Sequence, residues 1–394
     1  MRIGMFTDTY YPQINGLATS VLMLSRHLRA KGHQVFVLTT TDPDAPKDEE
    51  DVYRLPSMPF LAERRMGIMY HPGLARMLKR LDLDLVHTHS EFAIGVFGRY
   101  MAKSLRLPMI HTMHTIYEDY THYIMRLKML EPLIRVVARK VTTDFCNSAD
   151  ALIVPTEKMR ELLLYYGVNV EMTGIPTGIE IERFKPGRYS DEAIREAREE
   201  IGIAPGEKVL LYVGRVAEEK NIQELFYSLR VYLLQTNNVK FVLVGDGKDR
   251  ARLENLSQEL RLTDKVIFAG AKPWPDIGKY YQTGDVFVNT SRSEAQGLTY
   301  IEAMAAGLPV VARADPCLEG VLRDGENGYS FEDADGLVRA VDMILRNDLE
   351  HGRLSRGALD TAESFSAGTY ADRVARAYDE LLRNTSRRPL RKIG

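Results

Sequence analysis

Short strands that are apolar throughout, each followed by a longer helical pattern, constrain this chain more than any other feature. Arg2–Thr7, Gln34–Thr40, Leu83–His87, Pro108–His114 and Ala151–Pro155 read as strands, with helices over Leu17–Ala30 and about 93–105 and 125–147. Such alternation implies a parallel sheet covered on both faces. The pattern breaks at Thr173-Gly174-Ile175-Pro176-Thr177-Gly178 and again at Lys185-Pro186-Gly187, then resumes. Val209–Val213, Lys240–Val244, Lys265–Ala269, Val286–Asn289 and Pro309–Ala312 read as a second set of strands. Their helices fall near 191–201, 221–236, 249–261, 297–306 and 334–347. The expected organisation is α/β: two doubly wound domains, 1–173 and 188–365, joined by a linker at 174–187. A last helix from 366 is expected to cross back to the first domain and end in a basic tail at 394.

A length of 394 residues suits two such domains. The net charge of -2 gives no global case for nucleic-acid binding. Two cysteines, Cys146 and Cys317, are too far apart in sequence to suggest a disulfide framework, so a reducing compartment is expected. The opening Met1-Arg2-Ile3-Gly4-Met5-Phe6 enters a strand pattern directly, without the apolar core of a signal peptide. No apolar run reaches the ~18 residues of a membrane span. A cytoplasmic protein is expected. Its charge is uneven: residues 54–140 hold fourteen Lys/Arg against seven Asp/Glu, and 383–394 hold five basic residues and no acidic one. Basic segments mixed with apolar residues suit an anionic surface, and also suit a solvated face with a frayed terminus.

Paired doubly wound domains are expected to leave a cleft between the C-terminal edges of their sheets, where ligands bind. The segment Ser293–Gly307 says most about that ligand. Glu294 and Glu302 stand eight residues apart, with Gly297 between them at the start of an expected helix. If 294–302 were wholly helical, the carboxylates would lie ~12 Å apart along the axis. That is about the span from sugar to ribose in a nucleotide-sugar, with its phosphates over the helix start. Two solvated surface glutamates are the plainer alternative.

Other groups fall at strand ends. Tyr11-Pro12-Gln13-Ile14-Asn15-Gly16-Leu17 puts Gly16 where a ligand can approach helix N–H groups, although a plain turn has the same sequence; no G-x-G-x-x-G is present there. Arg215 and Lys220 flank the loop Gly214–Asn221 and suit a diphosphate. Gly245-Asp246-Gly247 either closes a turn or lets a nucleotide pass close. His87, His89, His111 and His114 end two first-domain strands, and packed histidines are the commoner outcome. No Cys/His spacing matches a zinc site. His114 stands apart because Thr115-Ile116-Tyr117-Glu118-Asp119-Tyr120 continues as a polar, aromatic loop suited to an acceptor.

Taken in order, the N-terminal glycine loop, strand-end His, Gly-Arg-x4-Lys and Glu-x7-Glu resemble the retaining glycosyltransferases of family four, with two Rossmann-like domains in the GT-B arrangement. The resemblance covers nearly the whole chain. Pro12–Gly16 and His111–Tyr123 are similar to the bacterial diacylglycerol α-glucosyltransferases. The resemblance implies transfer of glucose from UDP-glucose to the 3-hydroxyl of 1,2-diacylglycerol at the cytoplasmic membrane face. It implies that Arg215 and Lys220 hold the diphosphate, that Gly16 brings backbone N–H to it, and that Glu302 binds the ribose. Glu294, with the backbone of Gln296, Gly297, Leu298 and Thr299, would grip the sugar, and His114 would sit beside the sugar and the acceptor hydroxyl. Gln296 stands where the family usually has an aromatic residue. The implied mechanism is same-face attack, without a metal or other cofactor.

The lipid acceptor bears on the basic segment. Leu127, Leu130, Ile134 and Val137 recur at helical spacing among Arg126, Lys128, Arg135, Arg139 and Lys140, and Arg64-Arg65-Met66-Gly67-Ile68-Met69-Tyr70 adds more of both kinds. Both are expected to dock on anionic phospholipid, making the enzyme peripheral on the inner face of the membrane; part of the stripe suits a core equally well. Alternatives are another donor sugar, another acceptor such as a phosphatidylinositol or a small hydroxy acid, a sugar-nucleotide sensor without turnover, and a dehydrogenase.

Overall fold

The computed structural model describes residues 1–13, 15–46, 49–59, 65–115 and 131–386. The chain divides into two compact units: Met1–Gly178 with the C-terminal helix Ala367–Ser386, and Ile179–Ser366.

The first unit contains β1 (Arg2–Phe6), β2 (Gln34–Thr40), β3 (Val52–Leu55), β4 (Ser57–Pro59), β5 (Arg65–Gly67), β6 (Leu85–Thr88), β7 (Met109–Thr112), β8 (Ala151–Val154) and β9 (Met172–Gly174). Seven of these form one sheet in the order β3-β2-β1-β6-β7-β8-β9, and β4 and β5 form a separate antiparallel ribbon. Every pairing in the large sheet is parallel. Side chains alternate across its faces. Ile3, Met5, Val35, Val37, Leu85, Ile110 and Ile153 share one core with Val21, Leu24 and Leu28 of the helix Gly16–Ala30. Tyr370, Val374 and Tyr378 of the helix Ala367–Ser386 join the same core. Each such side chain contributes roughly 1.5–3 kcal/mol on burial, so the last helix is an integral part of this unit.

The second unit contains β10 (Lys208–Val213), β11 (Val239–Val244), β12 (Val266–Gly270), β13 (Val286–Asn289), β14 (Val310–Arg313) and β15 (Gly328–Phe331). They pair in the order β12-β11-β10-β13-β14-β15, all parallel. This is the 3-2-1-4-5-6 order of a doubly wound sheet, whose winding reverses between β10 and β13. Val209, Leu211 and Val213 face one core and Leu210 and Tyr212 the other, so both faces are covered. The division of the chain falls at Gly178/Ile179, inside the stretch read as linker. Ile181 and Phe184 are buried in the second core, and Ile179 N–H donates to Phe365 O at 2.9 Å.

Among the described residues, no helix is long and apolar enough to cross a membrane.

Candidate active site

In the second unit the loops after β10 and β13 meet beside the switch point. β10 ends at Val213, and Gly214 opens a loop that turns at Glu218–Lys220. Thr290 Oγ1 donates to Asn221 O at 2.9 Å and Ser293 Oγ to Glu219 O at 3.1 Å, which ties the two loops together. Across this seam Lys220 Nζ donates to Glu294 Oε1 at 2.6 Å. Both side chains are mostly enclosed, at 13% and 16% exposure, so the pair is more than a surface ion pair. Arg215 is more open and reaches Glu219 Oε1 at 2.7 Å. The two cations and the first carboxylate therefore share one edge of one sheet.

Gly297 has φ +73°, and a Cβ there would lie 2.4 Å from the Tyr300 ring. The helix therefore begins at Leu298, and it spans Leu298–Ala305 without a side-chain cap at its N-terminus. Glu294 lies in the loop before it, so the wholly helical spacing considered from the sequence does not apply. Gln296 is buried. Glu302 lies within the helix, where burial raises its carboxyl above the usual range, and the Tyr281 O–H, donating to Oε2 at 2.6 Å, opposes that rise. Tyr281 escaped the sequence reading. It ends the short helix Ile277–Tyr281, and no local pattern links it to a carboxylate 21 residues on.

The glycines after β11 have a structural cause. A Cβ on Gly245 would lie 1.9 Å from Gly214 O, and one on Gly247 would lie 2.1 Å from Val216 O. Each makes room for the Gly214–Val216 backbone, and so shapes the loop that carries Arg215.

In the first unit the corresponding switch point lies between β1 and β6. The segment after β1 leads to Asn15, whose Oδ1 accepts from Ala18 N–H at 2.9 Å and caps the helix that begins at the exposed Gly16. The buried Asp8 carboxylate accepts from Ser90 Oγ at 2.5 Å and from Ile94 N–H at 3.1 Å, which joins this segment to the one after β6.

The histidines sort by depth. His87 is buried between Tyr378 Oη, 2.6 Å from Nδ1, and Thr112 Oγ1, 2.7 Å from Nε2. His111 is buried against Phe145, with Nδ1 3.0 Å from Thr88 O and Nε2 3.3 Å from Glu91. Both serve packing, the plainer of the outcomes open from the sequence. His89 is buried too, and its Nδ1 lies 3.1 Å from Nε2 of the partly exposed His114. Burial, with a smaller contribution from His111, pushes the His114 imidazole down to about 3. It is neutral at neutral pH. Among the described residues no three His, Cys, Asp or Glu side chains are placed to hold a metal ion.

Residues 14–183 match the family described as glycosyltransferase family 4, and residues 193–360 match glycosyl transferases, group 1. The chain is 37% identical, over 100% of its length and 89% of the relative's, to alpha-monoglucosyldiacylglycerol synthase of Streptococcus pneumoniae. It is 33% identical, over 97% of its length and 98% of the relative's, to the synthase of the same name from Acholeplasma laidlawii. The chain belongs to glycosyltransferase family 4. Its fold is shared with sucrose-phosphate synthase of Thermosynechococcus elongatus, at a TM-score of 0.75 and 23% identity over 98% of this chain and 100% of that one. The two Rossmann-like units are thus those of a GT-B glycosyltransferase.

Of the residues expected in this glycosyltransferase's site, Arg215, Lys220, Glu294, Gln296, Gly297, Leu298, Thr299 and Glu302 are brought to one region of the second unit, and Gly16 and His114 to the sheet edge of the first. Tyr117, Tyr120, Arg64, Arg126 and Lys128 lie outside the described residues, as does the Arg65 side chain. Arg135 is exposed on the helix Glu131–Cys146, where Leu133, Val136, Val137 and Val141 are exposed beside it, while Ile134 is half-buried. Leu127 and Leu130 again fall outside the described residues.

Proposed function

We propose that this glycosyltransferase moves glucose from UDP-glucose to the 3-hydroxyl of 1,2-diacylglycerol, with retention, at the inner face of the cell membrane. The full-length likeness to two alpha-monoglucosyldiacylglycerol synthases carries the proposal. The second unit supplies chemistry that suits the donor. Arg215 and Lys220 neutralise the diphosphate, the uncapped start of the helix Leu298–Ala305 adds N–H groups, and Glu302 accepts from the ribose hydroxyls. Glu294 and the backbone from Gln296 to Thr299 hold the sugar. Gly16 offers backbone N–H to the phosphates, and His114 stands beside the sugar and the incoming hydroxyl.

In the transfer the bond from the glucose anomeric carbon to the β-phosphate oxygen breaks. The diacylglycerol oxygen bonds to that carbon on the same face, and its proton passes to the departing phosphate. The products are UDP and an α-glucosyl diacylglycerol. The developing charge on the diphosphate is met by Arg215, Lys220 and the helix start, so no metal is required. The exposed valines and leucine of Glu131–Cys146, flanked by Arg135 and Lys140, would rest on anionic lipid.

Incubation with UDP-glucose and diacylglycerol in anionic vesicles, followed by mass spectrometry and NMR of the lipid, tests the proposal. One α-linked glucose on diacylglycerol, formed at the same rate with EDTA, is expected. A β-linkage, a covalent sugar on Glu294, or transfer only to phosphatidylinositol or to a small hydroxy acid would overturn it.

A further inference from the structure

His89 and His114 lie just past β6 and β7, next to the switch point of the first sheet. Their rings are 5.4 Å apart between centroids, with Nδ1 of His89 3.1 Å from Nε2 of His114. His89 also packs against His87, with ring centroids 3.9 Å apart and planes tilted by 39°, and His87 is fixed by its bonds to Tyr378 and Thr112. His89 is therefore held on two sides. Its remaining nitrogen, Nε2, is buried and has no hydrogen-bond partner among the described residues.

Burial lowers the proton affinity of both rings, so each is neutral at neutral pH and carries one N–H and one lone pair. A single hydrogen bond between two neutral imidazoles has two solutions. If His114 donated from Nε2, His89 would accept at Nδ1 and hold its own proton on Nε2, a buried N–H with no acceptor among the described residues. If His89 donates from Nδ1, the unpaired atom is a lone pair instead. Orphaned buried N–H groups are the rarer of the two among backbone groups, and the same reasoning extends to the ring. The second solution puts the proton of His114 on Nδ1.

We propose that His89 is a positioning residue: its Nδ1–H binds His114 Nε2 and holds His114 in the Nδ1–H tautomer, so that His114 meets a sugar hydroxyl oxygen as a hydrogen-bond donor and not as a base. This deepens the function proposed above and rests on its placement of His114 beside the sugar. A ring presenting N–H cannot take the acceptor's proton, in keeping with that proton passing to the departing phosphate. The tautomer would also set the geometry of the contact, because the bond to His89 fixes the plane of the His114 ring.

The full-length protein with ¹⁵N-labelled histidine tests this directly. Long-range proton–nitrogen correlation distinguishes the two neutral tautomers, and the His114 signals are assigned by their loss in His114→Gln. The wild type is expected to show a protonated Nδ1 and an unprotonated Nε2 at His114. His89→Leu should abolish this pattern and lower kcat by about 10- to 100-fold, the range seen when a partner orienting a metal-bound histidine is lost, with little change in KM for UDP-glucose. His89→Asn retains a side-chain N–H near the same point and should restore both the pattern and most of the rate. A wild-type His114 protonated on Nε2 overturns the inference. So does a His114 pattern unchanged in His89→Leu, or, should that variant not fold, a pattern lost in His89→Asn. Undiminished turnover by His114→Gln would instead overturn the placement of His114 at the sugar, and the tautomer spectrum identifies that case separately.

Discussion

Lys220 Nζ and Glu294 Oε1 are joined by a 2.6 Å hydrogen bond, so the residue assigned to the diphosphate and the residue assigned to the sugar neutralise each other. Both are substantially desolvated. Removing one leaves the other as an enclosed charge, which costs more than a surface pair is worth. Donor binding would replace one ion pair with two sets of contacts, phosphate on Lys220 and sugar hydroxyls on Glu294.

The two substitutions should therefore differ in sign towards UDP alone. Lys220→Ala is expected to weaken UDP at least about 10-fold, the loss of a charge-assisted contact. Glu294→Gln should leave UDP unchanged or tighter, because Lys220 is released from its partner, and should weaken only UDP-glucose. Titration calorimetry with both ligands checks this. Equal losses for UDP in the two variants would count against the division of roles.

Tyr281→Phe removes the O–H that donates to Glu302. Burial already raises that carboxyl, and the Tyr281 bond is the first influence opposing it, so the variant's carboxyl should rise further. A protonated Glu302 accepts less well from ribose hydroxyls. UDP affinity is expected to fall roughly 3- to 10-fold, in line with one lost hydrogen bond to a charged group, and to fall more at pH 6 than at pH 8. A loss independent of pH would point to packing alone.

The sequence made the sheet centres legible and three of the four sheet edges obscure, the edge strand Val266–Gly270 being the readable one. Val286–Asn289 was readable because it is buried on both faces, and such strands are apolar throughout. Val52–Leu55, Met172–Gly174 and Gly328–Phe331 escaped because half-exposed edge strands mix residue types and run only three or four residues. The helix Asp348–Glu363 was missed for want of an apolar stripe: only Leu354, Ala358 and Ala362 are buried. In the candidate site, Arg215, Lys220 and the two glutamates were singled out by the order of their motifs and the family resemblance, since spacing alone fits solvated side chains as well. Tyr281 and the His89–His114 contact were not, since both depend on tertiary neighbours. The local geometry at Gly297 was also hidden, because a glycine permits a left-handed turn without requiring one.

The histidine cluster predicts how stability varies with acidity. His87, His89 and His114 all have proton affinities lowered by burial from the ordinary 6.5. The unfolded chain therefore binds more protons than the native one below pH 6.5, and stability falls as pH falls. Between pH 7 and 5.5 each histidine should remove roughly 1 kcal/mol. Asp8 and Glu302 are raised by burial and act in the opposite sense, but nearer the carboxylate range. Urea denaturation across this window should show the decline, and His114→Gln should make it shallower. A flat profile would mean that the rings titrate in the native state as they do in the unfolded chain.

The membrane prediction turns on the exposed face of Glu131–Cys146. Leu133, Val136, Val137 and Val141 recur at three- and four-residue steps, with Val136 and Val137 at 63% and 54% exposure. Placing a valine fully in an apolar layer is worth on the order of 1.5 kcal/mol or more, and nearby cations add about 1 kcal/mol each on an anionic surface. Val136→Asp with Val137→Asp should lower partitioning onto anionic vesicles on the order of 10- to 100-fold. Charge reversal at Arg64, Arg65, Lys128 and Arg135 should weaken it too, and more strongly at low salt. Neither set should alter UDP binding or the unfolding midpoint, since the valines are largely solvent-exposed and the side chains assigned to UDP, Arg215, Lys220 and Glu302, lie in the other unit. Vesicle co-sedimentation alongside calorimetry separates the effects. Binding that survives both sets of substitutions would move the docking surface elsewhere on the protein, and transfer to detergent-dispersed diacylglycerol would then show whether the acceptor site had been touched at all.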